Sequence, residues 1–176
     1  DPAAEDLVRK TIAALPQQSF KAKLELTPAG APTRVVDLSH KRIGTKRATY
    51  LDVVAPEELK GIRFLFIEEE GAATEQYIKI ASARSPVRVK DQIRTQPFLE
   101  SAFYVSDLVE PKVGAYSYRF VGEEGIGGRK VKLVEATPKE PAEEIYGRTV
   151  VAIDPDDLLI LRRQFFDKQG ELLKVW

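Results

Sequence analysis

Ser19-Phe20-Lys21-Ala22-Lys23-Leu24-Glu25-Leu26-Thr27 decides how the rest of the chain is read. Phe20, Ala22, Leu24 and Leu26 alternate with Lys21, Lys23, Glu25 and Thr27, and a period of two puts the apolar side chains on one face of an extended strand. One buried face and one solvated face is the pattern of an antiparallel sheet. Upstream the period is different. Leu7, Val8, Ile12 and Leu15 recur at helical spacing over residues 1–15, Asp1 is a suitable cap, Pro2 fits the first helical position, and Pro16 ends the run.

Downstream the two-residue period persists. Residues 34–43 and 46–54 read as strands about Gly44-Thr45; in the second, Arg47, Thr49, Leu51 and Val53 share one face. Residues 56–61 close that unit. Residues 62–67 are apolar on both sides apart from Arg63, which predicts a strand covered on both faces. A charged loop over 68–73 leads to a returning strand over 74–80. Residues 81–96 show no period, only Arg84, Arg88, Lys90 and Arg94 scattered around Pro86. Residues 97–110, carrying Phe98, Leu99, Phe103, Val105 and Leu108, predict one or two short helices stopped by Pro111. Tyr116, Tyr118 and Phe120 alternate in the next strand, 122–128 reads as a glycine-rich hairpin turn, and 129–136 returns. After a loop over 137–144, strands over 148–154, 158–166 and 171–176 finish the chain. Asp154-Pro155-Asp156-Asp157 and Asp167-Lys168-Gln169-Gly170 are the turns between them.

The expectation is a single mainly β (α+β) domain over residues 1–176. It is an antiparallel meander of about ten strands with an N-terminal helix and a short helical insert. A long, twisted antiparallel sheet curls toward a barrel without having to close. One helix and one insert are too little to fill a wide curl, so an apolar hollow on the concave side is expected.

Composition narrows the chemistry. The 176 residues carry 27 Lys+Arg against 27 Asp+Glu, one His, no Cys and no Met. Zero net charge argues against a nucleic-acid partner held by counterion release. Without Cys there are no disulfides, thiolate zinc sites, iron–sulfur clusters or cysteine nucleophiles. His40 is the lone imidazole, and no G-x-S-x-G elbow accompanies it. The Asp154–Asp157 cluster lacks the spacing of a calcium loop, and Gly125, Gly127 and Gly128 miss the G-x-G-x-x-G pattern. Asp52 and Asp107 are the acids in the most apolar context. The reading is of a protein that is not an enzyme and holds no metal or cofactor. No window reaches the roughly 18 apolar residues of a membrane span. The missing Met points to a processed chain, by removal of a leader or by trimming.

Phe98-Leu99-Glu100-Ser101-Ala102-Phe103-Tyr104-Val105-Ser106-Asp107-Leu108 resembles the F-M-G-S-D-F-S-Y-E-D-L segment of the LolA-like outer-membrane lipoprotein-sorting proteins. Phe98, Ser101, Phe103, Asp107 and Leu108 match and Leu99 is a mild change; Glu100, where that segment has glycine, Ala102, Tyr104, Val105 and Ser106 depart from it. Residues 56–65 are similar to the family's P-x-D-x-K-G-x-x-F-L step, with Glu58 in place of Asp, and residues 167–174 to its D-x-x-G-x-L-x-K hairpin. Tyr77-Ile78 stands at its tyrosine-led strand. The likeness covers nearly the whole chain.

The resemblance implies an unclosed antiparallel β-barrel with helices covering the concave face. It implies a periplasmic protein that carries acyl chains of lipoproteins or other lipids from an inner-membrane transporter or exporter to an outer-membrane acceptor. The lipid lining expected on the strands is Leu24, Leu26, Leu51, Val53, Phe64 and Phe66, then Tyr116, Tyr118 and Phe120. Phe98, Phe103 and Leu108 form the cover, and Arg47, Arg84 and Arg88 are rim contacts. Register decides which face is lined, because a one-residue slip exchanges the two sets. The alternative is a lipid-free envelope interaction or stress-sensing module of the same fold.

Overall fold

A computed structural model describes residues 1–15, 18–28, 30–69, 72–89, 96–108, 112–141 and 144–176. Helix α1 (Pro2–Ala13) forms where its signals lie: the Asp1 carboxylate accepts from the backbone N–H groups of Ala3 and Ala4 at 2.9 and 3.4 Å. Glu5–Arg9 and Asp6–Lys10 pair along its outer face at 2.7 Å. Ala4, Val8 and Thr11 are buried, and the Thr11 hydroxyl tolerates this by donating to the Leu7 carbonyl at 2.9 Å. Leu15 lies past the last turn and is exposed, contrary to the sequence pattern. The Pro16 stop lies outside the described residues, as do Lys90, Arg94 and the Pro111 stop.

Among the described residues, eleven strands form two antiparallel sheets, each in sequence order. The first contains β1 (Phe20–Leu26), β2 (Arg34–Ile43), β3 (Lys46–Ala55), β4 (Arg63–Glu69), β5 (Glu75–Lys79) and β6 (Val87–Val89). The second contains β7 (Tyr116–Ile126), β8 (Arg129–Pro138), β9 (Arg148–Asp154), β10 (Leu159–Phe166) and β11 (Leu172–Val175). The class is the expected one: mainly β, meandering and antiparallel, with an N-terminal helix. By contacts the chain divides into two units, residues 16–110 with the first sheet, and residues 1–15 with 111–176 around the second.

In the second sheet's unit, α1 lays Ala4 and Val8 against Tyr118, Val134, Ala136, Val151 and Ile153. Strand β7 does not turn at Gly122 but continues to Ile126, with a bulge where its register to β8 shifts between Phe120 and Gly122. The turn shrinks to Gly127 and Gly128, both left-handed (φ 56° and 79°), as a two-residue hairpin loop requires. Between β9 and β10, Asp154 accepts from the N–H groups of Asp156 and Asp157 at 2.9 and 3.2 Å, and from Arg129 at 2.5 Å. Its hydrogen bond from Arg129 holds the carboxyl below the ordinary aspartate range. The acidic cluster is thus a turn, closed by one arginine.

Three expectations for the first sheet's unit need correction. Val87–Val89 form a strand on β5 within the stretch that showed no period; three residues are too few to display one. The 62–67 strand is buried on one face through Phe64 and Phe66, whereas Leu65 and Ile67 on the other are only half-buried. The 97–110 insert holds no α-helix among its described residues. It makes two 3₁₀ turns, Phe98–Glu100 and Val105–Leu108, because Leu99 and Glu100 are left-handed (φ 52° and 56°) and segments this short cannot offset helix nucleation.

Candidate functional site: a covered apolar sheet face

Register builds the site. Ala22, Leu38, Leu51, Phe64 and Ile78 are successive partners across β1 to β5, and Leu24, Val36 and Val53 form the row beside them. On the far side of the Ala22–Ile78 row run Phe20, His40, Thr49, Phe66 and Gln76. Alternation puts all three rows on one face. The face therefore grades from aliphatic to mixed polar, where His40 Nδ1 and Thr49 Oγ1 lie 3.1 Å apart and Phe20 stacks on the His40 ring.

The insert covers the aliphatic part. Phe98 (1% exposed) packs against Phe64 with ring centroids 5.0 Å apart, and Val105 is buried in the same cluster. Leu99, Phe103 and Leu108 are partly buried against it. So Leu24, Leu26, Leu51, Val53, Phe64, Phe66, Phe98, Phe103 and Leu108 meet in one cluster. Tyr116, Tyr118 and Phe120 do not join them; they pack with α1 in the other unit. There the Tyr118 hydroxyl donates to the Val113 carbonyl at 3.1 Å, and burial raises its pKa. Arg47 is half-buried, while Arg84 and Arg88 are exposed on the first sheet's unit, Arg88 lying 3.9 Å from Glu75.

Local bonds shape the cover. Phe98 N–H donates to the Phe103 carbonyl at 2.6 Å, and the Ser101 hydroxyl donates to the Phe98 carbonyl at 2.7 Å. The Asp107 carboxylate accepts from the Tyr104 N–H at 2.8 Å, which gives this buried acid a structural task. Asp52 is likewise spoken for, 3.3 Å from Arg63 Nε.

Sequence reasoning missed the residue that fastens the cover. Arg34, its side chain 5% exposed, donates from Nε to the Leu99 carbonyl at 3.1 Å, from Nη2 to Glu100 at 3.1 Å, and from Nη1 to the Pro32 carbonyl. The sequence offers only its place, an inward position ahead of Val36 and Leu38, and not the acceptors that make the place meaningful. Its anchor sits on two left-handed residues, each strained by about 1–2 kcal/mol. The resembled segment has glycine at position 100, and glycine removes that strain. Glu100→Gly should therefore raise stability by about 1 kcal/mol, since the Glu100 side chain is 86% exposed and its ion pair contributes little. A lower Tm on thermal unfolding would show that the pair outweighs the backbone.

This architecture defines a class: the LolA-type fold. Over 99% of its length, the chain superposes on an outer-membrane lipoprotein-sorting assigned domain from Vibrio parahaemolyticus, with a TM-score of 0.84, 21% identity and 76% of that chain covered. A DUF1329 family protein from Desulfovibrio piger matches at TM-score 0.82 and 22% identity, over 97% of this chain and 75% of that one. A LolA-superfamily protein from Nitrosomonas europaea matches at 0.64 and 15%, over 98% and 75%. No curated protein matches in sequence. A family model described as "uncharacterized protein" matches residues 45–176, and the chain belongs to that family. Among the described residues, no helix is long and apolar enough to cross a membrane.

Proposed function

We propose that this protein binds an acyl chain of a lipoprotein or lipid on the apolar face of the first sheet, in place of the insert. The proposal extends to its cell biology: a periplasmic carrier receiving cargo at the inner membrane and releasing it to an outer-membrane acceptor. The observation that carries the reading is the cover itself, a short segment with no α-helix among its described residues that buries large side chains on the aliphatic part of a sheet face. The lipoprotein-sorting description of the Vibrio relative supports the choice of cargo.

Magnitudes make the exchange workable. Burying a chain of ~14 carbons gains roughly 10 kcal/mol at about 0.8 kcal/mol per CH₂. Lifting Phe98 and Val105, the two fully buried side chains of the cover, gives up about 3–6 kcal/mol, with Phe103 and Leu108 adding a smaller share because they are only partly buried. The acyl chain therefore outweighs the insert, and the insert's seating subtracts from the net affinity so that the chain is held less tightly than on an open face. Purified protein should enhance the fluorescence of an apolar dye, and tetradecanoic acid should displace it. Absence of displacement would reject the carrier and favour the lipid-free interaction module.

A further inference from the structure

Gln76 has no evident reason to be where it is. It is 2% exposed, and its cross-strand partners are Phe66 and Val89. Thr49, beyond Phe66 in the same row, is engaged with His40, and among the described residues neither Oε1 nor Nε2 of Gln76 has a hydrogen-bond partner. Two residues along β5, on the same face, Ile78 packs into the covered apolar cluster. A buried carboxamide with both donor and acceptor unmade carries its desolvation cost uncompensated, whereas a leucine or methionine of similar volume would not. The carboxamide lies beside the aliphatic rows, at their polar margin.

Resting on the acyl-binding reading above, we propose that Gln76 is the polar anchor of this face. The ligand it takes is an acyl chain whose head group both donates and accepts a hydrogen bond, an amide or a protonated carboxylic acid. Such a head group meets the Gln76 carboxamide with two complementary bonds, while the hydrocarbon runs over the rows containing Leu51, Phe64 and Val53. An ester or ketone supplies an acceptor alone and leaves Oε1 unmet.

Dodecanamide and 2-tridecanone test this, because they differ only in a methyl replacing the NH₂ group. In dye displacement, the wild-type protein should favour the amide over the ketone by about tenfold relative to the same ratio in Gln76→Leu, an effect of the size expected for satisfying a buried polar group. Taking the ratio across both proteins cancels the differing hydration of the probes. Gln76→Met should lose the preference in the same way and serves if Gln76→Leu folds poorly. Ligand-free thermal stability of either variant should be unchanged or higher. An unaltered ratio overturns the anchor and leaves the acyl site standing; a lower Tm in both variants also overturns it, since the carboxamide would then be satisfied without ligand. Failure of both probes to displace dye from the wild type removes the acyl-binding reading and the anchor with it.

Discussion

Phe98→Ala should destabilise the ligand-free protein by about 3–5 kcal/mol and, in the same variant, tighten the binding of tetradecanoic acid by at least about tenfold. The first effect follows from burial. Phe98 is fully enclosed, its ring set against Phe64, and the local bonds of the insert fix its backbone so that the segment cannot collapse into the vacated space. The second follows from competition. If the insert occupies the face that an acyl chain will occupy, every kcal/mol by which its seating is weakened appears as ligand affinity, with 1.4 kcal/mol giving a factor of ten. Denaturant unfolding with and without ligand reads both. Saturating ligand should bring the variant's midpoint close to that of the liganded wild type, since the missing ring matters only while the cover is down. A variant destabilised by the stated amount whose affinity falls would place Phe98 in a permanent wall and end the competition mechanism.

The apolar face on which that prediction turns was partly legible in the sequence. The alternation Phe20, Ala22, Leu24, Leu26 and its counterpart Thr49, Leu51, Val53 identify which side chains face inward, because a sheet has only two sides and burial selects one. Consequently the inward-facing residues of β1, β3 and β4 could be named in advance, and Phe98, Phe103 and Leu108 were legible as apolar residues in a segment without strand period. For Tyr116, Tyr118 and Phe120 the same logic reaches less far. Period two shows that they share a face but not what lies upon it, and α1 takes that place. Arg34 and Gln76 were illegible for a different reason. A polar residue in an inward position looks like noise in a hydrophobic pattern until the acceptors around it, or their absence, are known. Backbone strain at Leu99 and Glu100 leaves no mark in periodicity either; only the glycine of the resembled segment hinted that position 100 is left-handed.

Arg34→Leu should cost about 3 kcal/mol of stability at neutral pH and expose the insert to limited proteolysis within residues 96–108. The guanidinium is buried and serves three oxygen acceptors: the Leu99 and Pro32 carbonyls and the Glu100 carboxylate. Hydrogen bonds from a charged donor contribute about 1.5–3 kcal/mol each when their loss strands the partner. The Glu100 arm contributes little, because that carboxylate is open to water and is solvated when released. The loss is therefore carried by the two backbone carbonyls, one of them on the insert. Glu100→Gln should accordingly be nearly neutral, which separates the fastening of the cover from the ion pair. Arg34→Lys should not rescue, since a single ammonium cannot reproduce a planar fork that reaches acceptors on both β2's approach and the insert. Because the latch holds only the closed state, Arg34→Leu should also speed acyl binding, read as a faster dye-displacement rate. Equal rates in wild type and variant, alongside the stability loss, would mean that Arg34 supports the strand end without gating the face.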